Sequence, residues 1–303
     1  MVIPVPAVDL LFEAVKAKGN VCAGLDTCAA YIPPKERSKA QNDGEAVLAF
    51  NKALIDATYD VTACFKVQIA YYEEMGIAGL KAYSETLKYI RSKKALVIAD
   101  IKRGDIADTA VRYANAHFCG DFEADFVTLN PYMGMDSIEP WLSKARTYGK
   151  GAFVLLKTSN KGRNDFQLQK TEPQSRFLYE IVGSKLSELA SQDRGDCGYG
   201  IFGAVAGCTD KDEALQIRRQ FPDLFFLIPG YGAQGGGAQE ASMLLRNGNG
   251  GVVNASRSII TAWQGDLEKN SGLEEADNKF ASESARKAVI KMRDDISSFG
   301  AQQ

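Results

Sequence analysis

The sequence predicts an α/β fold, a TIM (β/α)8 barrel, with residues 1–303 forming a single domain. Three observations carry this reading. Eight apolar runs, each short enough to be a strand buried on both faces, occur at 21–23, 62–67, 95–100, 126–129, 152–157, 201–205, 225–228 and 251–254. Stretches of helical spacing lie between them: Val47, Phe50 and Leu54; Leu80, Tyr83, Leu87 and Ile90; Phe177, Ile181, Leu186 and Leu189. Polar and charged residues gather just after the apolar runs, the face on which such a barrel carries its chemistry. Eight strands close without an edge; a doubly wound open sheet is the alternative.

A chain of 303 residues, 45% hydrophobic and 24% charged with a net charge of -2, has an ordinary globular composition and can bury a sizeable core. The mildly acidic balance, with no tract rich in Lys and Arg, argues against a nucleic-acid partner. No apolar run approaches a spanning helix, and the N-terminus lacks the basic start and long apolar stretch of a signal peptide. A cytoplasmic protein without membrane contact is therefore expected. The six cysteines include no C-x-x-C pair and read as small hydrophobes of a reducing compartment. The one histidine, His117, follows a helical run and reads as a surface or packing residue. A Ser-His-Asp triad or a His-rich metal site would have to be built on it alone.

In chain order, an amphipathic helix around 8–18 precedes the first strand, which ends in Gly24-Leu25-Asp26; Asp26 is suited to accept hydroxyl hydrogens from a sugar. The second strand ends in Phe65-Lys66-Val67-Gln68. The third ends in Ala99-Asp100-Ile101-Lys102-Arg103-Gly104-Asp105-Ile106-Ala107-Asp108-Thr109. Alternation along a strand points Asp100 and Lys102 the same way, and Asp105 falls in the turn. An ammonium between two carboxylates is expected here, with Thr109 one helical turn beyond. Neighbouring negative charge favours the protonated form, so Lys102 reads as a proton donor. With Lys66 added, the charges are expected to alternate as Lys66, Asp100, Lys102, Asp105. A surface salt-bridge cluster is the plain alternative, but charges seldom sit at the end of a buried strand without a task.

The fourth strand ends in Asn130-Pro131-Tyr132-Met133-Gly134 and the fifth in Lys157-Thr158-Ser159-Asn160, where Thr158 and Ser159 offer small donors and acceptors to an amide-bearing ring. A polar insertion over 161–174 follows, long for its place and a candidate lid or rim. The sixth strand ends in Ala206-Gly207-Cys208-Thr209, a turn with little chemistry. The seventh and eighth are followed by Pro229-Gly230-Tyr231-Gly232-Ala233-Gln234-Gly235-Gly236-Gly237 and Asn254-Ala255-Ser256-Arg257-Ser258. Glycine-rich backbone and helix starts suit an anion, and these two loops are the usual phosphate position of the fold. Arg257 adds a planar donor fork and Gln234 a donor from a lid. A last helix around 277–299 is expected outside the barrel.

Taken together, these motifs resemble those of the orotidine 5′-phosphate decarboxylases, in their longer bacterial and parasite-type subgroup, over nearly the whole chain. The resemblance rests on Gly24-Leu25-Asp26, Phe65-Lys66, the run from Ala99 to Ile106 with Thr109, Asn130 to Gly134, Lys157 to Asn160, Pro229 to Gly236 and Ser256-Arg257-Ser258. It implies decarboxylation of orotidine 5′-phosphate to uridine 5′-phosphate (UMP), the last step of pyrimidine synthesis, without metal or cofactor. By the same resemblance Lys102 protonates C6, Asp100 and Asp105 flank the departing carboxylate, and Lys66 completes the charge network. Asp26 and Lys66 bind ribose hydroxyls, Thr158 or Ser159 the pyrimidine, and Gln234 and Arg257 the phosphate. It further implies a homodimer in which Asp105, Ile106 and Thr109 act across the two-fold interface. One departure is visible: the family's Gly before the Arg-Ser pair is replaced here by Asn254-Ala255-Ser256.

Other readings are open to test. A magnesium-dependent enzyme of sugar phosphates could share the Asp-x-Lys-x-x-Asp scaffold, but it would want a further carboxylate near the second strand, and Glu73 and Glu74 lie beyond it. A silent nucleotide-binding protein would keep Arg257 and the glycine loop without needing Lys102. A Schiff-base aldolase would need an uncharged lysine, which carboxylate neighbours oppose.

Overall fold

The computed structural model describes residues 4–207, 210–232, 237–269 and 275–300. Eight parallel strands close into a barrel: β1 Val21–Gly24, β2 Cys64–Gln68, β3 Leu96–Arg103, β4 Phe126–Leu129, β5 Gly151–Lys157, β6 Phe202–Ala206, β7 Phe226–Pro229 and β8 Gly251–Ala255. Each pairs with its sequence neighbours, and β1 closes the ring on β8 with Val21 opposite Val253. The strands are buried almost throughout because helices cover the outer face while side chains fill the interior. Every apolar run read from the sequence is one of these strands.

The helical stripes are the surfaces that do the covering. Helix Asp43–Thr58 starts at Asn42, whose side chain accepts the Glu45 N–H at 3.0 Å, and it buries Val47, Phe50 and Leu54. Helix Gly76–Ser92 buries Tyr83, Leu87 and Ile90 while Leu80 is half-buried; helix Leu178–Gln192 buries Leu186 while Ile181 and Leu189 stay half-buried at its edges. The final helix, Asn278–Gly300, lays Ala281, Ala285, Val289, Met292 and Ile296 inward, and Arg286 ties it to Asp60 at 2.5 and 2.9 Å. The insertion after β5 has structure of its own: a 3-10 turn at Lys161–Asn164 and an antiparallel hairpin pairing Lys170–Thr171 with Arg176–Phe177. Among the described residues no helix is long and apolar enough to cross a membrane.

One strand departs from the regular ladder. β3 was expected to end at Asp100, yet it runs to Arg103 because it bulges against β4. Ala99 faces Val127 and Arg103 faces Leu129, so residues 100–102 stand opposite Thr128 alone. Within the bulge Lys102 adopts φ +45°, a left-handed conformation that costs a non-glycine residue about 1–2 kcal/mol.

Candidate active site

The C-terminal ends of β1, β2 and β3 bring four charged side chains into one array. Lys66 on β2 is buried and donates to Asp26 Oδ1 at 3.0 Å and to Asp100 Oδ2 at 3.1 Å. Lys102, whose side chain is 44% exposed, donates to Asp100 Oδ1 at 2.5 Å. The order of charges is therefore Asp26, Lys66, Asp100, Lys102, which differs from the expected alternation. Asp105 is not part of it. Its Oδ1 caps its own chain by accepting the Ile106 N–H at 2.8 Å, and among the described residues it forms no ion pair. In the turn after β3, where Ala107 is also left-handed at φ +50°, Asp105 is half-buried while Ile106 and Thr109 are exposed.

Burial works against charge at both inner members, and their neighbours reverse it. For Lys66, desolvation opposes the ammonium, but the Asp26 and Asp100 carboxylates overcome it and raise its pKa above the ordinary lysine value. For Asp100, desolvation is again the largest influence. Lys66, Lys102 and the hydrogen bonds from Lys102 and Thr128 outweigh it and hold the carboxyl down at about 2. Gln68, to which the sequence reading gave no role, donates Nε2 to Asp100 Oδ2 at 2.9 Å.

A cavity of about 220 Å³ opens onto three members of this array, Asp26, Lys66 and Asp100, together with Tyr31, Tyr71 and Arg257, while Lys102 stands outside its lining. Arg257, at the start of the short helix after β8, is exposed and makes no ion pair among the described residues, so its fork of donors faces the cavity uncommitted. Ser256, where the family's glycine was expected, donates Oγ to Asp26 Oδ2 at 2.9 Å. That hydroxyl takes up the space beside β1: a Cβ on Gly24 would lie 2.0 Å from it, so Gly24 and Ser256 fit only as a pair. Tyr31 and Tyr71 carried no signal in the sequence, since nothing in a run of apolar and aromatic residues marks which of them reaches a cavity.

Thr158 and Ser159 follow β5 at the same end of the barrel but outside the lining of this cavity. Thr158 is engaged by the insertion: its N–H donates to Gln167 Oε1 at 2.8 Å and its Oγ1 accepts from Gln167 Nε2 at 2.9 Å. Ser159 lies against Gly207, where an added Cβ would come within 2.9 Å of its backbone nitrogen. Gln234 and the glycine stretch around it, like Cys208 and Thr209, lie outside the described residues. His117 is buried and packs against Trp141 and Phe122, in keeping with a packing role. Among the described residues no three His, Cys, Asp or Glu side chains are grouped so as to hold a metal ion.

Residues 19–266 match the family described as "Orotidine 5'-phosphate decarboxylase / HUMPS family". The chain belongs to this family. It is 53% identical over 289 residues to an orotidine 5′-phosphate decarboxylase of Clostridium kluyveri, covering 95% of this chain and 96% of that one. It is likewise 53% identical over 289 residues to the protein of that name in Clostridium acetobutylicum, covering 95% and 98%. Among solved structures, the OMP decarboxylase of Leishmania donovani superposes with a TM-score of 0.70 at 31% identity, over 95% of this chain and 99% of that one. The UMP synthase of the same organism superposes with a TM-score of 0.73 at 32% identity, over 96% of this chain but 57% of its own length. For a decarboxylase-family chain, the charged array at the barrel mouth stands where the fold places catalysis.

Proposed function

We infer that this protein is a carboxy-lyase that converts orotidine 5′-phosphate to UMP and carbon dioxide, the last step of pyrimidine nucleotide synthesis. The observation that carries this is a cavity lined by Asp26, Lys66, Asp100 and an uncommitted arginine, with the Lys102 ammonium paired to Asp100 beside it. Loss of carbon dioxide leaves a carbanion at C6 with little delocalisation, so the site must favour negative charge more in the transition state than in bound substrate. The Lys102 ammonium does so and then gives C6 its proton. Asp100 anchors that ammonium and stands beside the departing carboxylate. Because a lysine supplies the positive charge, the reading needs neither metal nor cofactor. Asp26 and Lys66 take the ribose hydroxyls, Arg257 and Gln234 the phosphate, and Thr158 or Ser159 the pyrimidine.

The exposure of Ile106 and Thr109, with an Asp105 carboxylate that forms no ion pair among the described residues, supports a homodimer in which Asp105, Ile106 and Thr109 enter the partner's site. Ile106, Tyr132, Met133 and Phe166, all exposed apolar residues of the C-terminal face, supply a surface for such a contact, and Tyr132 and Phe166 already meet at 6.0 Å. The described cysteines are all free, including the exposed Cys119, which suits a cytoplasmic enzyme.

The test is direct. Purified protein in excess chelator is mixed with orotidine 5′-phosphate, and the loss of ultraviolet absorbance is followed alongside chromatography of the product. Stoichiometric conversion to UMP is expected. No turnover, or turnover only after magnesium is added, contradicts the reading and favours the enzymes of sugar phosphates.

A further inference from the structure

We propose that Thr128 is a positioning residue that fixes Lys102 and Asp100 relative to each other through the β3 bulge, an inference that rests on the decarboxylase reading. Thr128 is the one polar residue of β4 and is 1% exposed. Its Oγ1 accepts the Ile101 N–H at 3.0 Å and the Lys102 N–H at 2.9 Å, and donates to Asp100 Oδ1 at 2.8 Å. A hydroxyl has one hydrogen to give and two lone pairs, so its capacity is used in full. With both lone pairs committed to backbone donors, the hydrogen has one destination, the Asp100 carboxylate.

Two consequences follow for the array. A regular parallel ladder would give bulge N–H groups to β4 carbonyls; here a side chain receives two of them, one from the left-handed Lys102 itself. Asp100 in turn receives four donors, Thr128 and Lys102 on Oδ1 and Lys66 and Gln68 on Oδ2. Its lone-pair sites are filled, so it neither rotates nor takes a proton from a ligand. Thr128 thus links the backbone that aims Lys102 to the carboxylate that anchors it. The sequence carried a faint signal of this: a threonine inside the otherwise apolar run Phe126-Val127-Thr128-Leu129.

The experiment compares the wild type with Thr128→Val, which keeps the shape and removes the hydroxyl, and Thr128→Ser, which keeps the hydroxyl and removes the methyl. For each, kcat and KM on orotidine 5′-phosphate, UMP affinity by calorimetry and the thermal midpoint are measured. Thr128→Val is expected to lower kcat by about 10- to 100-fold, the scale of one lost hydrogen bond to a charged group. KM and UMP affinity should move less than about threefold, and Thr128→Ser should recover most of the lost kcat. A valine variant with wild-type kcat, or a serine variant as impaired as the valine one, overturns the proposal. If Thr128→Val does not fold, the serine variant decides alone: kcat near that of the wild type sustains the proposal, and a loss of tenfold or more overturns it. Failure of the wild type itself to turn over would instead refute the decarboxylase reading, so the two failures are separable.

Discussion

Arg218 at the floor of the barrel and Lys66 at its mouth are almost equally withdrawn from water, 7% and 5% exposed, and they are satisfied in opposite ways. Arg218 makes no ion pair among the described residues. Its Nε donates to the Leu244 carbonyl at 2.7 Å, Nη2 to Gly250 at 2.8 Å and Nη1 to Leu224 at 2.9 Å, with Phe221 and Pro222 further out, and the guanidinium lies over Phe226 at 4.2 Å. Those carbonyls belong to the loops that enter β7 and β8, so the arginine laces together the starts of two strands. Burial lowers its pKa, to about 10, and it still holds its charge at neutral pH. Lys66 sits between two carboxylates and faces a cavity. Carbonyl dipoles satisfy a cation without adding charge of their own, which suits a structural brace. Carboxylates bring opposing charge that a ligand can engage, at a desolvation cost that stability alone seldom favours.

If this contrast is right, damage at the floor should appear in stability and damage at the mouth in turnover. The largest loss of stability is expected at Arg218. Arg218→Met keeps much of the volume but leaves buried carbonyls without donors, and should cost about 3–5 kcal/mol in urea unfolding. The kcat of the folded fraction should stay within about twofold of the wild type. A severe loss of kcat in folded Arg218→Met would break the division between the two ends.

A smaller effect belongs to the helical layer, at His117 in the last turn of the helix Ala107–Phe118. Burial, followed by the nearby Arg103 charge, lowers the pKa of His117 to about 4 from 6.5. Because the folded value is the lower one, the neutral ring stabilises the fold in full above about pH 6.5, and that contribution is lost as pH falls through about 4. The loss amounts to about 3 kcal/mol. Asp100 has its own window further down: its lowered pKa contributes stability above 3.8 that is lost as pH falls through about 2. Urea unfolding at pH 7, 5.5 and 4.5 should therefore show a decline that His117→Phe flattens. An unchanged slope in that variant would place the pH sensitivity elsewhere.

The two ends also differ in how much the sequence revealed. All eight strands were legible because burial on both faces leaves an unbroken apolar run, and Lys66, Asp100 and Lys102 were legible because charge at the end of such a run is unusual. The bulge in β3 was not, since a strand pattern does not count residues against its neighbour. Nor was the place of Asp26 in the array, whose distance from Lys66 is set by the pairing of β1 with β2 and not by spacing along the chain. Thr128 was given no role and Ser256 no partner, because a hydroxyl has no fixed partner until the fold chooses one. Arg218 went unremarked at the floor for a similar reason: within Ile217-Arg218-Arg219 nothing separates the buried guanidinium from the exposed one.

On the proposed function, the mouth array holds the Lys102 ammonium at the reacting carbon. Lys102→Ala tests it most directly, with kcat on orotidine 5′-phosphate, UMP affinity and the unfolding free energy measured on one preparation. Lys102 is 44% exposed and its ion pair is partly screened, so the substitution should change stability by less than about 1 kcal/mol, well below the loss expected at Arg218. UMP affinity should hold within about fivefold while kcat falls by about 1,000-fold or more, as expected for loss of a proton donor that also stabilises charge. A folded, UMP-binding Lys102→Ala enzyme that keeps a tenth or more of wild-type kcat would contradict the account.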